Sequence, residues 1–169
     1  MRIGVVGDTH NQLGNVDKIV QLFHDAGVER VVHTGDITQP SVLERFARLD
    51  APLVGVFGNN DLPTRDALGE HATRFGMDLL DPPRTIEWAN RRILVLHDPE
   101  LEKETALDWT EGGLHGIDLV LHGHTHRHRH EQRGDTLIFN PGECAGFMAG
   151  RNAVGLVDLA TLDTELLRF

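Results

Sequence analysis

Seven side chains with metal-binding chemistry fall in five short blocks of the 169-residue chain: Asp8-Thr9-His10, Asp36, Asn59-Asn60-Asp61, His97 and His124-Thr125-His126. They comprise two carboxylates (Asp8, Asp36), one amide (Asn59) and four imidazoles (His10, His97, His124, His126). An oxygen and nitrogen set of this kind suits Mn, Fe, Zn, Co or Ni better than Ca, and it lacks the thiolates of a structural zinc site. Two divalent ions against two carboxylates leave a site of about +2, and a bridging hydroxide lowers it to about +1, still attractive to a phosphate anion. Two such ions ~3.5–4 Å apart lower the pKa of a bridging water and clamp an in-line displacement at phosphorus.

Each block follows an apolar run that reads as a strand. Ile3–Gly7 precedes Asp8, Arg30–Thr34 precedes Gly35-Asp36, Pro52–Phe57 precedes Gly58-Asn59, Arg91–Leu96 precedes His97, and Asp118–Leu121 leads into His122-Gly123-His124. Gly7, Gly35, Gly58 and Gly123 stand directly before an Asp, Asn or His, where glycine permits a sharp exit from the strand and close backbone approach. In an open α/β sheet ligands bind beyond the carboxyl ends of the strands, so a shared strand direction would bring the five ends together. Helical spacing of Leu13, Val16, Ile19, Val20 and Phe23 predicts a helix stopped near Gly27. Ser41 is expected to cap a second helix burying Val42, Leu43, Phe46 and Leu49, and a weaker helix is expected over Pro63–Phe75. Thr85–Trp88 with Arg91–Leu96, and His128–Arg133 with Thr136–Asn140, read as hairpins; Ala153–Asp158 and Asp163–Leu167 close the chain as strands. Glu100–Gly116 reads as a short helix or structured loop.

Composition bounds the rest. One domain over 1–169 is expected at this length. The hydrophobic fraction is 40% and the charged fraction 25%, which excludes general disorder. No apolar run approaches the ~20 residues of a membrane helix, and the N-terminus has no signal-peptide pattern. A single cysteine, Cys144, and this absence of a leader lead to the expectation of a cytoplasmic protein. The formal net charge of -10 argues against duplex nucleic acid and anionic membrane as partners. A small phosphate ester, such as a nucleotide or short oligonucleotide, stays open, and so does a homo-oligomer.

The five blocks, with Asn140-Pro141-Gly142, resemble in order and spacing the motif series of the calcineurin-like metallophosphoesterases. The resemblance runs from Met1 to Gly142 and points to the small single-domain YfcE-like phosphodiesterase branch, whose fold the Vps29 retromer subunit shares. It implies a four-layer αββα sandwich of two mixed sheets flanked by helices. It implies two divalent ions, Mn first among the candidates: one held by Asp8, His10, Asp36 and His126, the other by Asp36, Asn59, His97 and His124. The implied activity is phosphodiester hydrolysis by in-line attack of a metal-bridging hydroxide, with Asp36, Asn59 and His124 acting through the ions. A non-catalytic interaction scaffold on the same fold is the alternative.

The chain departs from the family pattern at three places. Asn60 stands where many members carry a leaving-group-protonating histidine, and an amide has no proton to give at neutral pH. Asp98 and Glu143 replace a usual Gly and Ser, and either touches substrate or closes a turn. Asp61 either supports Asn59 or caps a following helix. His33 and His122 read as packing or hydrogen-bonding residues behind the ligand loops. Arg127 follows the last block and is a candidate for substrate phosphate, while the Arg127–His130 run reads mainly as an exposed strand face. Pocket walls are expected from Leu62–Phe75 and Pro99–Gly116. His24, His71, His115 and Cys144 carry no catalytic signal.

Overall fold

The computed structural model describes residues 1–100 and 114–169. The chain begins with β1 (Arg2–Val6), α1 (Leu13–Asp25), β2 (Arg30–His33), α2 (Pro40–Phe46) and β3 (Leu53–Val56). A 3-10 helix (Asn59–Thr64) then leads into α3 (Arg65–Arg74) and β4 (Asp78–Leu80). Strands β5 (Arg84–Trp88), β6 (Arg91–Val95), β7 (Leu119–Leu121), β8 (Arg129–Arg133), β9 (Thr136–Asn140), β10 (Ala153–Asp158) and β11 (Thr164–Arg168) complete it.

The strands form two mixed sheets, one ordered β11-β10-β1-β2-β3-β4 and one ordered β5-β6-β7-β9-β8. β1, β2, β3 and β4 run parallel in the first, and β6, β7 and β9 run parallel in the second. Period-two alternation makes the sandwich. Ile3, Val5, Val32 and Val56 of the first sheet meet Ile93, Val95, Leu119, Leu121, Leu137 and Phe139 of the second in one buried layer. Facing the other way, Val6, Val31 and Leu53 pack under Val16, Ile19, Val20 and Phe23 of α1 and Val42, Leu43 and Phe46 of α2. Leu94, Val120 and Ile138 line the outer face of the second sheet with Leu114. The expected element over Glu100–Gly116, where a fourth layer would be sought, falls almost entirely outside the described residues.

Several local expectations shift. The α2 N-cap is Gln39 with Pro40 in the first turn, and Ser41 instead donates its hydroxyl to Asn11 Oδ1 at 2.9 Å. Leu49 lies past the end of α2 but still packs against the same core. The weaker helix divides at Thr64, because the loop after β3 first turns as a 3-10 helix. β4 has three residues, too few for periodicity to reveal. α1 ends as expected, with Ala26 as its cap and Gly27 at φ 62°.

Candidate metal centre

The loops leaving β1, β2, β3, β6 and β7 are stitched together. Asp8 N donates to Gly35 O at 3.0 Å, His10 N to Asp36 O at 3.1 Å, and Gly123 N to His97 O at 3.2 Å. His124 N donates to Asp8 Oδ1 at 3.1 Å, tying the last block to the first. Asp8, His10, Asp36, His124 and His126 all have left-handed backbones, with φ from 42° to 65°. Each such residue costs on the order of 1–3 kcal/mol and persists only where its surroundings over-determine it. Close approach also explains two of the glycines. A Cβ at Gly58 would stand 2.3 Å from Asp36 Oδ1, and one at Gly35 would stand 2.6 Å from His97 Nδ1.

Asp8, His10, Asp36 and His126 form one group, each offering a donor atom within 4.8 Å of all the others. His10 Nε2 lies 3.3 Å from Asp36 Oδ2, and His126 Nε2 lies 3.6 Å from Asp8 Oδ1. Bonds of about 2.1 Å to one ion would separate neighbouring donors by about 3.0–3.4 Å, so the group has the right size. Asp8 Oδ2 and His10 Nε2 are buried without a hydrogen-bond partner. Buried polar atoms are ordinarily paired, so a cation is the simplest explanation of this pair. Burial pushes the Asp8 carboxyl up to about 6 against the pull of His97 and His126, and it lowers His10 despite Asp36.

Asn59, His97 and His124 gather on the other side of Asp36. Asn59 Oδ1 lies 2.9 Å from His97 Nε2 and 3.0 Å from His124 Nδ1. His97 Nδ1 lies 2.8 Å from Thr34 O, so it carries a proton and turns Nε2 toward Asn59 and toward Asp36 Oδ1 at 3.5 Å. Burial disfavours charge on His97, yet the Asp36 contact outweighs it and raises the imidazole to about 9. Burial likewise opposes ionisation of Asp36, but His97 and the two Asn60 donors hold that carboxyl well below the usual range. A field that favours a proton at His97 Nε2 favours a metal cation there too. The two Asp36 oxygens divide between the groups, Oδ2 toward His10 and Oδ1 toward His97.

Supporting residues are now visible. Asn60 donates Nδ2 to Asp36 Oδ2 at 2.8 Å and its backbone N to Oδ1 at 2.9 Å, so at the position usual for a proton donor it orients the shared carboxylate. Asp61, fully buried, accepts from Gly58 N at 2.7 Å, Asp36 N at 3.0 Å and Thr38 N at 2.7 Å. It therefore joins two ligand loops rather than capping only its own turn. Glu143, also fully buried, accepts from His126 Nδ1 at 3.0 Å, which turns His126 Nε2 toward Asp8. Asp98 Oδ2 lies 3.3 Å from His124 Nε2. His33 accepts from Gly35 N at 3.1 Å and meets Thr9 Oγ1 at 3.3 Å, and burial lowers it to about 3. His122 is lowered by burial to about 4, and Asn140 Nδ2 beside it donates to Gly123 O at 3.0 Å.

Phe147 escaped the sequence reading. Its ring is 65% exposed, stacks on His126 at 5.4 Å with a 6° interplanar angle, and lies 5.2 Å from His10. The signal was a lone aromatic in the glycine-rich stretch Gly142–Gly150. Cys144 is buried with its thiol pushed up by burial, which leaves it unreactive. His24 and His71 sit at the surface beside Asp50 and Glu44, away from the centre. A cavity of about 420 Å³ flanks Asn59, His97 and His124, with apolar walls from Phe57, Leu62 and Pro82. Of the expected wall segments, Leu62–Phe75 contributes Leu62 and the described part of Pro99–Gly116 contributes none; Asp98, just before the second segment, lines the cavity instead.

Two mixed sheets deliver histidines, carboxylates and an amide to one end, a donor set with the composition and spacing of a metal-ion site. Residues 1–162 match the model of the calcineurin-like phosphoesterase superfamily domain, and the chain belongs to that superfamily of hydrolases. Phosphodiesterase MJ0936 of Methanocaldococcus jannaschii is 32% identical over 160 residues, spanning 94% of this chain and 93% of that protein. Phosphodiesterase YfcE of Escherichia coli K12 is 26% identical, spanning 94% of this chain and 88% of its own. The solved structure of an archaeal phosphodiesterase superposes with a TM-score of 0.86 at 31% identity and full coverage of both chains. Vps29 of Chaetomium thermophilum superposes at a TM-score of 0.67 with 15% identity, over all of this chain and 94% of that one, which shows a shared fold. No helix among the described residues is long and apolar enough to cross a membrane.

Proposed function

We propose that the chain is a dinuclear metal-dependent phosphodiesterase acting on a small phosphate ester. The single observation that carries this reading is the division of the two Asp36 oxygens between the groups. One carboxylate oriented by Asn60 faces His10, and through it Asp8 and His126, on one side, and His97, Asn59 and His124 on the other. Asp8, His10, Asp36 and His126 would hold one divalent ion, and Asp36, Asn59, His97 and His124 the second. When bound, two such ions supply Lewis acidity toward the phosphoryl oxygens and lower the pKa of a water for attack in line. Mn heads the candidates, with Fe, Ni, Co and Zn compatible with the same donors.

The chain's own residues do the rest. Glu143 keeps a proton on His126 Nδ1 and Thr34 O keeps one on His97 Nδ1, so that both imidazoles present Nε2 inward. Asn60 holds Asp36 and has no proton to offer a departing oxygen, so the site favours esters whose leaving groups depart as stable anions. The apolar cavity beside His124 and Leu62 suits an uncharged part of the ester, such as a nucleoside base.

The test is hydrolysis of bis(p-nitrophenyl) phosphate by stripped protein, repeated with added Mn, Ni, Co, Zn and Mg, with the p-nitrophenyl monoester in parallel. Metal-restored turnover of the diester above the monoester is the expected result. Absence of turnover with every metal, in protein that binds two ions per chain, would overturn the catalytic reading in favour of a scaffold.

A further inference from the structure

Most arginines outside the centre face an acid. Arg45 and Arg48 share Asp17, Arg91 meets Asp118, and Arg129 and Arg133 share Glu131. Arg127, Arg151 and Arg168 differ: among the described residues none of their side chains has a carboxylate partner, a hydrogen bond or an aromatic ring beneath it. All three line one cavity of about 300 Å³, together with His128 and a floor of Pro141 and Gly142. Among the described residues no carboxylate lines it.

Four separate stretches of chain build this cavity. Arg127 follows the last metal-binding block, Arg151 lies two residues before β10, and Arg168 on β11 pairs across the strands with Ala153 at the start of β10. Pro141 and Gly142 follow β9. The cavity also shares His126 with the candidate metal centre. Gathering three unpaired guanidinium groups is unfavourable by mutual repulsion, and more conspicuous in a chain of formal net charge -10 with acids to spare. A bound anion removes that repulsion, and the guanidinium fork matches phosphate oxygens two at a time.

We propose that this pocket is a second anion subsite, holding a phosphate of the substrate other than the one that is cleaved. The link to substrate rests on the phosphodiesterase reading of the adjoining centre; the anion site itself does not. With an apolar cavity on one flank of the centre and an arginine pocket on the other, the preferred substrate is a phosphodiester that carries an additional terminal phosphate.

Calorimetric titration of the full chain with inorganic pyrophosphate tests the site. The parent, Arg151→Gln/Arg168→Gln and Asp36→Asn, each checked for folding by circular dichroism, are compared. Loss of two charge-assisted contacts should weaken binding about tenfold or more in the arginine double variant, while Asp36→Asn keeps a pyrophosphate site. Equal affinity in the parent and the double variant, or loss of binding only in Asp36→Asn, overturns the subsite. Single Arg151→Gln and Arg168→Gln variants carry the comparison should the double variant fail to fold. The substrate link is read with the p-nitrophenyl ester of thymidine 5′-phosphate, with and without a 3′-phosphate. A preference of tenfold or more in kcat/KM for the 3′-phosphorylated diester, lost in the double variant, is expected. Equal kcat/KM for the two in the parent overturns the link. Failure to hydrolyse either diester, with arginine-dependent pyrophosphate binding intact, overturns the phosphodiesterase reading and leaves the anion site standing.

Discussion

The two halves of the candidate centre are built on different terms. The half at Asp8, His10 and His126 is under-bonded, with Asp8 buried and both histidines half-buried: Asp8 Oδ2 and His10 Nε2 have no hydrogen-bond partner, and a buried glutamate fixes His126. The half at Asn59, His97 and His124 bonds to itself through Asn59 Oδ1, offers a neutral amide in place of a second carboxylate, and leaves the His124 side chain 39% exposed. The first half gains more from a cation, having more charge and fewer internal bonds to give up. The second half can satisfy itself with protons. On the two-ion proposal, this difference predicts tight binding of one ion and weaker, exchangeable binding of the other.

The largest effect should come from the residue common to both halves. Asp36→Ala removes the carboxylate whose two oxygens face the two groups and should lower diester kcat/KM by at least ~10³-fold. Calorimetry with Mn should show both binding events impaired. Loss of one event alone would break the view that Asp36 is shared.

The next effect separates the halves. Glu143 touches only the first, through His126 Nδ1. Removing such an outer partner usually costs ~10–100-fold in metal affinity. Glu143→Gln should therefore weaken the tighter Mn event by that factor and leave the weaker one near the parent value. An equal loss in both would show that the halves are not independent.

How far this contrast was legible in the sequence depends on the range of the contacts. The blocks at Asp8, Asp36, Asn59, His97 and His124 announce themselves because each ends an apolar run, and strand ends in a parallel sheet share one edge. The second sheet was implied by the family resemblance and not by any pattern in the closing strands. The sequence leaves Glu143 open between touching substrate and closing a turn, since its contact with His126 spans seventeen residues and two whole strands. Asp61 was ambiguous for a related reason: the acid that would cap its own turn also reaches Asp36 N and Thr38 N across the loop. Residues 101–113 lie outside the described structure, so the expectation for that segment has no counterpart here.

Each half also rests on one buried neutral histidine, His33 behind the first and His122 behind the second. Both are held below 6.5 in the folded chain, at about 3 and about 4, with burial the leading cause. Between those values and 6.5 the unfolded chain binds more protons than the folded one, so stability rises with pH across this window. It is fully present above about 6.5 and drains away as pH falls, by about 2 kcal/mol per histidine at pH 5. Thermal melts from pH 7.5 to 5 should show the loss, and His33→Gln or His122→Gln should each flatten the slope. His97 and Asp8, both raised in the folded chain, gain stability as pH falls and offset part of this loss, so the diagnostic is the change of slope: a slope that His33→Gln and His122→Gln both leave unchanged would show that the two rings accept protons in the folded state.

The smallest effect sharpens the comparison at its solvent side. Phe147 stacks on His126 and lies against His10, two donors of the first half, while the His97 and His124 rings of the second half meet edge-on at 5.1 Å. A ring contact of this kind contributes ~0.5–1.5 kcal/mol. Phe147→Ala should therefore loosen the tighter Mn event by about two- to tenfold. The weaker event should not move, because no atom of its donors rests on this ring among the described contacts. The same titration that measures Glu143→Gln reads it directly. A shift confined to the weaker event would place the aromatic cover on the wrong half and reverse the asymmetry drawn above, since the ring would then steady the donors of the second half rather than those of the first.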